Sequence, residues 1–334
     1  MSEPPGRVPE GYELIQRLGA GQTAVVWLAN GPRRELVALK LPKPEALANA
    51  LLRRMFENEV QITLKLDHPN VVRAFDGRST GPGAFLALEH CPGGTLDVLL
   101  LERGQLPLER VLKLVAEVAS GLAHAHERGV VHRDVKPANV FISERGSAKL
   151  GDFGTGTFGA EGGDERVGTA FYMAPEVFSG AASSLASDVY SVGVLAYEVI
   201  AGVRPFVGDS YDALMVAHMT SLPRDLRQHR PELGKGLSAV VMRALARDPA
   251  RRYQSVRAFL EAFAAAGGPS LGTPTVVAPP TGRAGRVPTH AGAAPTASQG
   301  ADPANGAAAE DDRDEAREAG RRGGLFGLFR RRRG

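Results

Sequence analysis

Cysteine occurs once in the 334 residues, at Cys91, and tryptophan once, at Trp27. A single thiol excludes an internal disulfide framework and fits a reducing compartment. Placed just after a strand-like run, Cys91 reads as a small packing residue, not a reactive one. Long hydrophobic runs are also missing. The most apolar stretch, VYSVGVLAYEVIAGV at 189–203, is too short to span a bilayer and carries Glu198, so it is predicted as a buried helix. The amino-terminal MSEPPGRVPEGYEL lacks the basic-then-apolar pattern of a secretory leader, which points to a cytoplasmic address. Charge of one sign is scarce over most of the chain. Residues 267–334 hold ten Arg, no Lys and seven acids, so the whole net charge of +3 lies there and residues 1–266 carry thirty of each sign. A body without excess positive charge argues against nucleic acid as a partner.

The hydrophobic fraction, 43%, suffices for a large domain or two lobes. Three runs near the start, at 12–19, 24–30 and 35–41, have the alternation of strands. Asn30-Gly31 gives a tight-turn signal between the last two, so an antiparallel meander is expected. Over 45–66 the period becomes helical, with Leu47, Leu51, Met55, Ile62 and Leu66 on one stripe and Glu59 on the same stripe. A carboxylate turned toward a core is costly without a cation, so Glu59 requires a lysine or arginine opposite it. FLALEHC at 85–91 reads as a further strand. A long helix is expected over 108–128 with Gly129 as its stop, and later helices around 188–201, 211–220, 236–247 and 255–265. From Gly272 to Gly324 the only large apolar residues are Val276, Val277 and Val287, too few to fold, and an acidic cluster is followed by LFGLFRRRRG.

The chemistry lies in four short stretches. LGAGQTAVVW at 18–27 sets Gly19 and Gly21 at a turn between strands, where glycine lets backbone N–H groups approach phosphate oxygens. Lys40, in VALK on the next strand, supplies the cation that Glu59 requires. HRDVKPANV at 132–140 crowds a His, an Arg, an Asp, a Lys and an Asn between apolar residues, and GDFG and MAPE follow at 151–154 and 173–176.

In this order and spacing, residues 11 to about 264 resemble a eukaryotic-like Ser/Thr protein kinase of bacterial type. The resemblance implies an α+β, bilobal fold: a small antiparallel-sheet lobe with one helix at 11–89, a hinge at 89–93 and a larger, mainly helical lobe at 94–265. Residues 1–10 would be an extension and 266–334 a disordered tail. It implies ATP as the phosphate donor and Mg²⁺ as the ion, with Mn²⁺ as a substitute. Asp134 would orient the acceptor hydroxyl and take its proton, and Lys136 would meet the transferred phosphate. Asn139 and Asp152 would hold the metal, and Lys40, fixed by Glu59, the phosphates. Nucleotide binding would extend over Gly19, Gly21, Val26, Ala38, Lys40, Glu89 and Cys91. Thr169 would support Asp134, Asp188 would anchor the catalytic-loop backbone, and Glu176 would pair with Arg252. His132 reads as a packing histidine. His124 and His126, two apart on a helix, do not share a face and are not read as metal ligands.

Three features depart from the family pattern. The stretch between Phe158 and Val167 holds no hydroxyl residue, so Glu161, Asp164 or Glu165 is expected to stand over Arg133 in place of a phosphate. Ala24 occupies the third glycine position of the loop. The tail offers Leu325, Phe326, Leu328 and Phe329 beside four arginines as a weak contact for an anionic membrane or acidic partner, with Thr273, Thr275 and Thr281 as acceptors in cis. A phosphate-transferring enzyme is favoured over a pseudokinase scaffold because Lys40, Glu59, Asp134, Asn139 and Asp152 are all present. A small-molecule phosphotransferase would lack the MAPE segment.

Overall fold

The computed structural model describes residues 6–21, 23–153 and 163–271, the side chains of 163–166 excepted. The chain opens with β1 (Glu13–Ala20), β2 (Ala24–Asn30) and β3 (Leu36–Pro42), then two helices, α1 (Pro44–Ala48) and α2 (Ala50–Thr63), and then β4 (Ala74–Arg78) and β5 (Phe85–Glu89). These strands form one antiparallel sheet in the order β1-β2-β3-β5-β4. Alternation gives the sheet two apolar faces. Val25, Trp27, Val37, Leu39, Leu41, Phe85 and Ala87 pack with Tyr12 on one, while Leu86 packs with Phe56 and Val60 of α2 on the other.

Two predicted details differ. The connection between β2 and β3 spans Gly31–Glu35 and is not a two-residue turn. Gly31 N–H donates to Glu35 O and Arg34 N–H to Gly31 O, both at 2.8 Å, and Arg34 takes a φ of 65°. The single helix expected over 45–66 breaks at Asn49, whose side chain accepts from the N–H groups of Leu51 and Leu52 and so starts a new helix. The break shifts the buried face to Phe56, Glu59, Val60 and Thr63, leaving Leu51 exposed.

The rest is mainly helical. It comprises α3 (Leu96–Arg103), α4 (Leu108–Glu127), the ribbon β6 (Val140–Ile142) and β7 (Ala148–Leu150), α5 (Gly163–Ala170), α6 (Pro175–Phe178), α7 (Leu185–Ala201), α8 (Tyr211–Thr220), α9 (Lys235–Ala244) and α10 (Val256–Ala265). Its core is built on α4 and α7, both buried over most of their length. A capping box between Ser184 and Ser187 starts α7, and Gly202 stops it at a φ of 74°. At Gly129, φ is 72° where the sequence predicted the end of α4.

The two parts meet through residues 68–72. Leu150 N–H donates to Asn70 O at 2.9 Å, Val72 N–H to Leu150 O at 2.9 Å, and Asn70 Nδ2 to Ala148 O at 3.0 Å. This loop thus adds a short parallel bridge to the ribbon whose end carries Asp152. The loop lies so close to α4 that a Cβ on Gly121 would come within 2.2 Å of Asn70 O.

Candidate active site

Strand register places Lys40 opposite Val26 on one side and Leu86 on the other, with Ala38 two residues back on the same face. From α2, Glu59 Oε1 meets Lys40 Nζ at 2.5 Å, and Asp152 Oδ1 accepts from the same ammonium at 3.2 Å. Burial alone would depress the lysine, but the carboxylates of Asp152 and Glu59 outweigh it and hold Lys40 protonated well above its ordinary range.

The loop between α4 and β6 makes the second half of the site. Arg133 sits at a φ of 71°, a conformation that β-carbons disfavour. Asp188, on α7, holds it there: one carboxylate oxygen accepts from Arg133 N–H at 2.9 Å and the other from His132 N–H at 2.7 Å. The latter oxygen also meets His126 Nε2 at 2.8 Å. His132 is fully buried, bonds Gly151 O at 2.9 Å and packs on the Phe153 ring, a structural place. Asp134 Oδ2 then meets Lys136 Nζ at 2.9 Å and Asn139 Nδ2 at 3.0 Å. Lys136 Nζ reaches onward to Thr169 Oγ1 at 2.9 Å. The two halves are tied by Gly151 N–H, which donates to Asn139 O at 2.9 Å one residue before Asp152. Asp152 itself has a φ of 58°.

The remaining sequence-predicted residues fall around this centre. Gly19 is in β1 opposite Val26, and Gly21 N–H closes the hairpin onto Ala24 O at 2.8 Å; Gln22 lies outside the described residues. Ala24 is buried at the start of β2. Glu89 and Cys91 lie at and just beyond the end of β5. The Glu89 carboxylate is engaged through Oε2 by Lys149 Nζ at 3.0 Å, and its backbone N–H donates to Arg73 O at 2.8 Å. Burial, with Glu89 nearby, pushes the Cys91 thiol up to about 12, which keeps it neutral and unreactive. Glu176 and Arg252 pair at 2.7 Å. Residues 154–162, with Thr155, Thr157 and Glu161, and the side chains of Asp164 and Glu165 lie outside the described residues, as does the tail from Gly272.

Sequence reasoning missed several participants. His126 was dismissed as a metal ligand, and its bond to Asp188 carries no local signal, being a contact 62 residues away. Asn70 and Lys149 likewise act through long-range pairing. Beside Thr169, Tyr172 OH donates to Glu198 Oε2 at 2.5 Å and Arg204 Nε to Glu198 Oε1 at 3.1 Å.

A lysine fixed by a helix carboxylate, an aspartate on a loop and a second aspartate after a short ribbon lie together on a bilobal α+β scaffold. The protein kinase domain family matches residues 12–263, and the chain belongs to it. It is 33% identical over 265 residues to the serine/threonine-protein kinase PknB of Mycobacterium leprae, covering 76% of this chain and 42% of that protein. It is 35% identical over 256 residues to the serine/threonine-protein kinase PknA of Corynebacterium glutamicum, covering 72% and 53%. The chain therefore spans about half or less of the length of these relatives. Among the described residues, no helix is long and apolar enough to cross a membrane.

Proposed function

We propose that this chain transfers the γ-phosphate of ATP to serine and threonine hydroxyls of protein acceptors, its own included, through a kinase unit at 11–265. The observation that carries this reading is the chain of contacts from Asp134 through Lys136 to Thr169, both at 2.9 Å. A base, a cation and a hydroxyl-bearing segment are held together there, with Lys40 and Asp152 alongside. Asp134 accepts the acceptor's proton as its oxygen attacks, and Lys136 offsets charge on the moving phosphoryl group. Lys40 grips the α- and β-phosphates, with Glu59 fixing its ammonium. Gly19, Gly21, Val26, Ala38 and the backbone at Glu89 and Cys91 enclose the nucleotide.

Asn139 and Asp152 fit a divalent ion. Asn139 Nδ2 is committed to Asp134, leaving its amide oxygen as the hard donor beside the Asp152 carboxylate. Two hard protein oxygens leave the rest of an octahedral shell to phosphate oxygens and water, which suits Mg²⁺. When bound, that ion neutralises charge between the phosphates.

Purified protein with Mg-ATP and a generic acceptor protein should place phosphate on Ser or Thr. Asp134→Asn should lower turnover on the order of a thousandfold, within the range general-base catalysis supplies. Equal incorporation by wild type and variant would sink the reading. In the same assay, alanine at both Asp164 and Glu165 should lower kcat if a carboxylate stands in for phosphate over Arg133; unchanged turnover removes that idea. For the tail, full-length protein should bind anionic vesicles more tightly than a chain ending at Gly268, and equal binding excludes the membrane role.

A further inference from the structure

Two residues beyond Thr169 begins a cluster of groups from three elements that packs behind Tyr172. Phe171 and Tyr172 follow α5, Glu198 projects from α7, and Arg204 comes from the loop after α7. The Tyr172 hydroxyl and the Arg204 guanidinium divide the two oxygens of Glu198, at 2.5 and 3.1 Å. The guanidinium also lies 3.9 Å from the centroid of the Phe171 ring. Glu198 is mostly covered, its side chain 15% exposed, whereas Arg204 is 39% exposed. Tyr172, with Arg133, Asp134 and Thr169, lines the crevice beside the proposed base. Burial, with the Glu198 charge beside it, pushes the Tyr172 hydroxyl up, so it stays a neutral donor, and among the described residues Arg204 is the cation paired with the carboxylate.

Without Arg204, Glu198 would present one uncovered oxygen behind Tyr172, the residue through which this cluster reaches the crevice. An acceptor with an arginine or lysine near its hydroxyl residue would find a partner there. With Arg204 in place that position is filled by the chain's own cation, and a basic side chain meets a guanidinium instead of an acid. We propose, on the kinase reading above, that Arg204 is a specificity-determining residue. By sealing Glu198 it removes selection for basic acceptors and leaves a half-exposed cation that favours neutral or acidic flanks. Discrimination thus comes from a repulsive element as much as from an attractive one.

Three threonine peptides test this, identical except that the residues flanking the threonine are alanine, arginine or glutamate. Wild type should phosphorylate the arginine-flanked peptide no better than the alanine-flanked one. Arg204→Ala and Arg204→Gln should raise the arginine-over-alanine ratio in kcat/KM about tenfold, a gain that matches one rescued ion pair. The glutamine variant keeps a long side chain over Phe171, so it separates charge from packing. KM for ATP should not move, and Glu198→Gln added to either variant should cancel the gain. A merely structural Arg204 would lower turnover on all three peptides alike and leave the ratio within about twofold of wild type, which would overturn the inference while the kinase reading stands. A wild type that already prefers the arginine peptide would overturn it equally. A wild type that labels neither the peptides nor a generic acceptor protein would overturn the kinase reading, and the specificity inference with it.

Discussion

Replacing Lys40 by methionine removes the ammonium that Glu59 meets at 2.5 Å and leaves a carboxylate, its side chain 5% exposed, without a counter-charge. Breaking a buried pair in this way costs about 3–5 kcal/mol, and turnover should fall with it because the phosphates lose their grip. The variant's deficit should also depend on pH. Burial pushes the Glu59 carboxyl up, and without Lys40 nothing pulls it down. Its folded state then gains a proton before the unfolded chain does, so the deficit is full at neutral pH and shrinks as pH falls toward the acid range. Thermal melts of wild type and Lys40→Met between pH 5 and 8 check the sign; a deficit that grows on acidification would refute it. The pair was legible in the sequence because a carboxylate on an apolar helical face demands a partner. Part of the face was read one position off, Met55 for Phe56 and Ile62 for Thr63, since nothing in the periodicity marks Asn49 as a break. His126 was illegible for a different reason: its partner Asp188 comes from another helix, and only the fold brings them within 2.8 Å.

At the scale of elements, α4 can approach the 68–72 loop only because Gly121 lacks a Cβ. In an ordinary helix interior, Gly→Ala stabilises by about 1 kcal/mol. Here the new methyl would meet a backbone carbonyl that already accepts from Leu150, so steric cost decides the sign. Gly121→Ala should destabilise by about 2 kcal/mol or more, and should slow turnover because Leu150 leads directly to Asp152. A raised melting temperature would show that the loop yields.

Helix α8 carries a second test. His218 is fully buried, with Nδ1 2.7 Å from the Tyr190 hydroxyl and its ring against Phe178, Tyr190 and Phe206. Burial depresses it from an ordinary 6.5 to about 4. The unfolded chain therefore takes the proton first on acidification, and stability is full above pH 6.5 and declines until about pH 4. The total is about 3 kcal/mol. His68 is depressed by burial to about 4 as well, so the measurement is the difference between wild type and His218→Gln: the variant's stability should be flatter across that window. Among the elements, the long periodic ones were readable from sequence, whereas β4, α3 and the three-residue strands β6 and β7 were not. A strand of three residues is too short to display a period, and β4 contains Asp76-Gly77, which reads as a turn. The eight-residue α5, GDERVGTA, lacks any apolar stripe; its acids were legible as groups to face Arg133, but its helix was not.

For the molecule as a whole, separate apolar clusters serve the sheet and the helical part, and Lys40, on β3, meets Asp152, beyond β7, across them. A nucleotide bound between these groups binds the folded chain alone and must stabilise all of it by mass action. At a hundredfold excess over Kd the gain is about 2.7 kcal/mol, which for a domain of roughly 250 residues raises the melting temperature by about 5–10 °C. Two carboxylates converge on Lys40, so ATP without metal brings its own negative charge toward Asp152 and should stabilise much less than Mg-ATP. Asp152→Asn removes one of those charges and the metal's hard ligand together. Its shift with Mg-ATP should therefore shrink, its shift with ATP alone should match or exceed that of wild type, and the two should converge. Melting curves with ATP, with and without Mg²⁺, give all four values, and a wild type indifferent to the ion would refute Asp152 as its ligand.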